Sequence, residues 1–263
     1  MMRIKKALSI GALCFFNLHS AWAAEAPPIA AASDLKFALT EVAVQFKKDT
    51  GQDVRLSFGS SGIFKTQLEN GAPYQLFLSA DENYIFSLRD KGLTKDGGVL
   101  YAIGRIAFFI PHNSGVTADG ELNGLRKMLA DGRIKRFAIA NPAHAPYGRA
   151  ARAALEHAGL WRAIEPKLVL GENASQAMQF AGSGSAQGGI VPLSLSRTPE
   201  VARLGTFATI PAAWHSTEPL KQRMVLLRNA GTVAEEFYRY LQKPPARDIL
   251  SRYGFARPGE AVK

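Results

Sequence analysis

Residues 28–51 read PIAAASDLKFALTEVAVQFKKDTG, and their pattern decides the architecture. Residues 29–32 form a short unbroken apolar run, as expected of a strand covered on both faces. Ser33-Asp34 then turns the chain. Beyond it Leu35, Ala38, Leu39, Val42 and Phe46 recur at the spacing of one helix face until Gly51 stops the helix. A strand, a small polar turn and an amphipathic helix in succession are the unit of a layered α/β fold.

The same rhythm continues in both directions from that unit. Val54, Leu56 and Phe58 alternate as a strand, Gly59-Ser60-Ser61-Gly62 is a turn, and a helix is expected over 63–70, ended by Gly71. A third strand is expected at 76–79, with Asp81 as the cap of a helix that carries Ile85 and Leu88 and stops at Gly92. The nearly continuous apolar run 100–110 is long enough to leave one lobe and enter another. There the pattern restarts: strand 137–140, helix 147–157, strand 168–170, helix 173–181 and a final strand 189–193. A second apolar run, 224–227, is placed as the return, followed by a helix at 233–241 and another around Ile249. The expected organisation is a signal peptide at 1–23, one lobe from 24–102 plus 224–263, and a second lobe from 103–223. Two crossings between α/β lobes make a hinged interlobe cleft, and open α/β sheets bind ligands at the carboxyl ends of their strands.

The chemistry is expected in the turns that open onto that cleft. Ala32-Ser33-Asp34, Ser60-Ser61-Gly62, Ala145-Pro146-Tyr147-Gly148 and Glu172-Asn173-Ala174 each precede a helix. A helix start carries unpaired N–H groups and a partial positive charge, so several converging starts can hold a small dianion without a countercharge. The hydroxyls of Ser33 and Ser61 would add neutral donors. Singly, each site has a plainer explanation: Ser33 as a helix cap, Ser-Ser-Gly as an ordinary turn, Asn173 as a cap, Tyr147 as a helix entry after proline. The Asp34 carboxylate would repel an oxyanion, so its N–H is expected to face the cleft and its side chain to face solvent or cap its own helix.

The ends and the composition narrow the class. Met1 to Lys6 is basic, residues 7–16 are apolar, and Ala21-Trp22-Ala23 has the small-x-small pattern of a signal peptidase site. The apolar run is about half of the roughly 20 residues that cross a bilayer. Cys14 is the one cysteine and lies in this leader, so disulfides, thiolate metal sites and cysteine nucleophiles are not expected; Leu13 and Gly11 do not fit a lipoprotein anchor. Loss of Arg3, Lys5 and Lys6 with the leader lowers the formal charge from +10 to +7. The densest basic stretch, 126–136, is broken by Leu129, Ala130 and Asp131 and reads as a solvated face rather than a nucleic-acid site.

Taken together, the segments AASDLKFAL from Ala31, FGSSGIF from Phe58, NGAPYQLFLSAD from Asn70, ANPAHAPYG from Ala140, GENASQAMQF from Gly171 and SRYGF from Ser251 resemble the periplasmic molybdate- and tungstate-binding proteins of ABC importers. The resemblance spans nearly the whole chain beyond the leader. It implies the two-lobed type II periplasmic binding protein fold and a monomer that hands a tetrahedral oxyanion to a permease and its ATPase. No cofactor, catalysis or direct metal ligand is implied. Its site residues map onto Ser33 and Ser61, the amides of Tyr147 and Ala174, and Asp34. One position departs: the best-known members have a tyrosine after the Gly-Ile-Val strand, whereas Gly189-Ile190-Val191 is followed by Pro192, which donates nothing. Compensation is expected from the Ser33-Asp34 turn.

Two rival functions are weighed. A binding protein of the same shape could prefer sulfate, phosphate, chromate or a small carboxylate; Arg149 is the obvious partner for a carboxylate, although an exposed helix position explains it. A secreted serine hydrolase would use Ser60 or Ser61, but the turn is one residue short of the hydrolase elbow. None of His112, His144, His157 and His215 sits in a recognisable triad motif, and a surface loop explains His144.

Overall fold

The computed structural model describes residues 25–260, so the expected leader and Cys14 lie outside the described residues. Strand β1 (Pro28–Ala32) is buried along almost its whole length, with Ile29, Ala30 and Ala31 fully inaccessible. It runs parallel to β2 (Arg55–Gly59) on one side and β3 (Leu76–Ser79) on the other. A strand paired on both edges and covered on both faces has no position for a polar side chain, hence the unbroken apolar run.

The sheet is completed by β4 (Val99–Ile103) and, lying between β3 and β4 and antiparallel to both, β10 (Lys221–Leu226), in the order β2-β1-β3-β10-β4. The second sheet contains β5 (Ile106–Pro111), β6 (Phe137–Ala140), β7 (Leu168–Gly171), β8 (Gly189–Pro192) and β9 (Gly205–Thr209), ordered β7-β6-β8-β5-β9. β6 is parallel to β7 and β8, whereas β5 is antiparallel to β8 and β9. The chain crosses out between Ile103 and Ile106 and back between Thr209 and Lys221.

Two features differ from expectation. β10 begins ahead of Met224 because Gln222, although polar, is fully buried within it, so a search for apolar runs starts the strand too late. The last strand of the second sheet is β9 rather than 189–193; it is an edge strand, mostly half-buried, and lacks the apolar density of the others. The basic stretch 126–136 begins on the helix Asn123–Ala130, which buries Leu125 and Met128 and leaves Arg126 and Lys127 exposed; beyond the helix Lys135 and Arg136 are exposed too.

Each sheet carries its own core. One face of the first packs on the helix Lys36–Thr50 and on the C-terminal helices Thr232–Tyr240 and Pro244–Arg252, with Phe46 edge-on to Phe237 at 5.0 Å. The other face covers Phe64, Ile85 and Leu88, from the helices Ser61–Glu69 and Glu82–Asp90. Phe108, Phe109 and Phe137 anchor the second lobe. Because β1, β2 and β3 share a direction, their carboxyl ends emerge at one edge, facing the loops that follow β6 and β7.

Gly148 shows how tightly one of those loops is held. It lies in the first turn of the helix Pro146–His157, where an added Cβ would meet the Ala140 carbonyl oxygen at 2.2 Å. Gly148→Ala is expected to lower stability by about 1–3 kcal/mol through overpacking. The check is the urea midpoint, which should fall at an unchanged slope; an unchanged midpoint would show that the turn can yield.

Candidate functional site

Between the lobes lies a small space lined by Ser33, Asp34, Ser61, Tyr147 and Ala174 together with Ala32, Gly59, Ser60, Ala80, Ala145 and Pro146. Ser33, Asp34, Ser61, Tyr147 and Ala174, onto which the expected site residues map, therefore border the same small space. Ser33 and Asp34 follow β1, Ser61 opens the helix after β2, Tyr147 opens the helix after β6, and Ala174 opens the helix after β7.

The hydrogen bonds around this space identify which donors remain for a ligand. Ser61 Oγ accepts the Ala80 N–H at 3.0 Å, and Ser33 Oγ accepts the Ser175 N–H at 3.2 Å. Both hydroxyl oxygens are thus fixed as acceptors, and each retains its O–H to donate. In the helix Ala174–Gly182 the Gln176 and Ala177 amides go to the side chain and carbonyl of Asn173, and Ser175 goes to Ser33. Ala174 N–H is left in the first turn without an acceptor among the described residues. In the helix Pro146–His157, Gly148 and Arg149 both bond the Ala145 carbonyl, and Tyr147 N–H is left in the same condition. Asn173 is a cap, and the cap serves the site by occupying the neighbouring amides.

Asp34 is placed differently from expectation. Its side chain neither reaches solvent nor caps a helix: the residue is 1% exposed, and Oδ2 accepts from the Tyr147 hydroxyl at 2.8 Å and from Gln222 Nε2 at 2.5 Å. Oδ1 is buried with no partner among the described residues. The reason lies in the fold, since β1 delivers Asp34 to the hinge, where β10 brings Gln222 and the second lobe brings Tyr147. Burial pushes the Asp34 pKa up to about 6 from an ordinary 3.8, against the opposing hydrogen bonds from Gln222, Tyr147 and its own backbone N–H. Burial and the nearby Asp34 charge hold the hydroxyls of Tyr147 and Tyr101 well above their usual range.

Contacts across the cleft include residues that sequence treated as bystanders. The His144 carbonyl accepts from Ser60 Oγ at 2.6 Å and from Gly62 N–H at 3.0 Å. Arg149 is not an exposed helix residue. It donates to Glu218 at 2.8 Å, to the Tyr84 hydroxyl at 2.9 Å and to Asp81, the last two from the opposite lobe. Each of its three nitrogens donates to one of these partners, and it is not among the residues that border the cavity. Such interlobe pairs leave no sequence signal, because each half looks like an ordinary surface residue. The Ser33 carbonyl accepts from Ser175 Oγ at 2.8 Å and the Asp34 carbonyl from Ser194 Oγ at 2.8 Å, which adds to the closed arrangement.

A serine–histidine–carboxylate grouping does exist: His144 Nδ1 is 3.1 Å from Ser60 Oγ, and Nε2 is 3.5 Å from Glu172. Its geometry opposes a nucleophile, because the Ser60 hydroxyl donates to the His144 carbonyl rather than to a base. Among the described residues no three His, Cys, Asp or Glu side chains gather to hold a metal ion, and no helix is long and apolar enough to cross a membrane.

Comparison with known proteins agrees with this architecture. Residues 28–256 match the model of the bacterial extracellular solute-binding protein family. The molybdate-binding protein ModA of Azotobacter vinelandii is 33% identical over 258 residues, covering 97% of each chain. That of Escherichia coli is 32% identical over 225 residues, covering 86% of each. The solved structure of the Azotobacter vinelandii periplasmic molybdate-binding protein superposes with a TM-score of 0.78 at 31% identity, covering 88% of this chain and 99% of that one. With a family match across both lobes and that identity along nearly its full length, the chain belongs to the bacterial extracellular solute-binding proteins, a family of transport rather than catalysis, and within it to the molybdate-binding proteins.

Proposed function

We propose that this protein captures molybdate, or tungstate of almost the same size, in the interlobe cavity and delivers it to the permease and ATPase of an ABC importer. The observation that carries the reading is the lining of that space: two free hydroxyl donors and two free helix-start amides border it, with no lysine or arginine among its lining residues. The space is far smaller than the roughly 300–1,000 Å³ of an organic-ligand site, which suits a small inorganic ion. Neutral donors suit an anion that must later be released, and the oxygens alone would be held, with no residue bonded to the metal. The names of the relatives point to the same ligand.

The proposed contacts are the Ser33 and Ser61 hydroxyls and the Tyr147 and Ala174 amides, with Asp34 at the cavity edge. In this reading the units that close are the two lobes, one built on each sheet and joined at the crossings 103–106 and 209–221, the protein acts as a periplasmic monomer, and residues 1–23 are the export signal. Pro192 leaves no hydroxyl at the end of β8, and Ser33 and Asp34 on the facing turn supply the polar lining instead.

Isothermal titration with molybdate, tungstate, sulfate and phosphate in separate runs tests the assignment. Tight one-to-one heats from the first two alone support it, whereas heat only from sulfate or phosphate would discard the named ligand and retain the fold. Ser61→Ala is expected to weaken molybdate binding by about 1–3 kcal/mol, because a donor to a charged ligand is lost; an unchanged affinity removes Ser61 from the site. Gly62→Ala tests closure. The added Cβ would stand 2.5 Å from the His144 carbonyl oxygen across the cleft. We expect a folded protein whose scattering envelope with molybdate stays more open than wild type and whose affinity falls about tenfold or more, a loss of roughly 1.4 kcal/mol. Wild-type compaction would show that the lobes shut without this contact.

A further inference from the structure

Asp34 presents an unresolved charge problem at the edge of the proposed anion site. Asp34 borders the same space as Ser33 and Ser61, and its carboxyl group is buried at the hinge beside it. Oδ2 already accepts two hydrogen bonds, from Tyr147 and Gln222, while Oδ1 is buried and unpartnered. An ionised carboxylate buried beside a bound dianion, away from water, repels it strongly, and the usual outcome is that one of them takes a proton.

We propose that oxyanion capture is coupled to uptake of one proton, which Asp34 receives on Oδ1. This inference rests on the oxyanion reading above. The placement follows from the hydrogen bonds: Oδ2 must remain an acceptor for both donors it holds, so the proton belongs on the other oxygen. Once protonated, Oδ1 changes from an unsatisfied buried acceptor into a donor, which is the character the remaining cavity lining already has. One event removes the repulsion and adds a donor.

The hydrogen-bond partners that the carboxylate has among the described residues are both neutral. The titratable groups that face Asp34 are Tyr101 on β4 and Tyr147 on its helix, both held in the neutral form. The helix Ala174–Gly182 and the turn Leu193–Ser196 carry no titratable side chain. On the neighbouring elements, Lys221 and Arg223 of β10 pair with Glu82, Arg149 pairs with Asp81 and Glu218, Arg55 of β2 pairs with Glu25, and the Lys36 ammonium lies over the Phe37 ring. With a pKa of about 6 before the anion enters, Asp34 is mostly ionised at neutral pH and must gain a proton on binding, whereas in more acidic solution it is protonated beforehand. The sign is therefore fixed: affinity falls as pH rises above about 6, by about tenfold per pH unit until the pKa of the complex is reached.

The test is titration of the purified protein with sodium molybdate between about pH 5 and pH 8, in buffers of different ionisation heat, so that protons exchanged per anion are read directly. The expected result is about one proton taken up per molybdate at the alkaline end, declining toward zero at the acid end. Asp34→Asn, which keeps the shape and can still accept from Tyr147 and Gln222, should abolish the uptake and the pH dependence and bind more tightly than wild type at about pH 8. Wild-type binding without proton exchange at the alkaline end would overturn the inference and leave the oxyanion reading standing. An Asp34→Asn protein with the wild-type proton count would overturn it too, by placing the proton elsewhere, for instance on His144. Absence of molybdate binding at every pH would remove the oxyanion reading and this inference with it.

Discussion

The first amides of an α-helix have no acceptor inside the helix, and in this protein each lobe supplies acceptors for the helix starts of the other. Ser175 N–H reaches across to Ser33 Oγ, and Gly62 N–H reaches across to the His144 carbonyl. Those bonds exist only when the lobes are together. They also leave specific amides over, and the ones left over border the cavity. The site is thus what remains after closure has satisfied the neighbouring donors, which is why its donors are neutral, few and fixed in direction.

Against that neutral background Asp34 is the exception. A buried carboxylate is retained in a hydrophobic hinge only where its charge is relieved by hydrogen bonds or by a proton. Here Tyr147 and Gln222 relieve it from the opposite lobe and from the returning strand, so that β1, the helix Pro146–His157 and β10 meet at one group. Tyr101 adds to the cluster by donating to Gln222 Oε1 at 2.8 Å. A polar cluster at this point ties the binding turn to both the facing lobe and the segment that hinges the two.

The molecule separates rigidity from charge in a consistent way. The sheets and the helices on them are held by apolar burial, with full cation pairing confined mainly to the outside: Lys47 with Asp53, Arg152 with Glu156, Arg257 with Asp248. Exposed pairs of this kind contribute little to stability. Arg149 is different because it is half-buried and reaches Asp81 and Tyr84 across the cleft. Its contacts tie the two lobes together across the cleft.

By itself the sequence determined the layered α/β units, the turns that carry Ser33, Ser61, Tyr147 and Ala174, and the departure at Pro192. Apolar period and turn chemistry are local properties, so residues 28–51 announce a strand, a turn and a helix without outside help. The edge strand β9 and the start of β10 were illegible for the same reason: one has little burial to signal it, and the other contains Gln222, a polar residue whose place in the core depends on Asp34 and Tyr147. Tertiary structure alone decided where the Asp34 carboxylate points, which serine hydroxyl is already committed, and that Arg149 and His144 belong to the closing surface. Each of these depends on an atom contributed from the other side of the cleft, and partners separated by a hundred residues or so leave no trace in local pattern because pairing energy is set by distance in space, not along the chain.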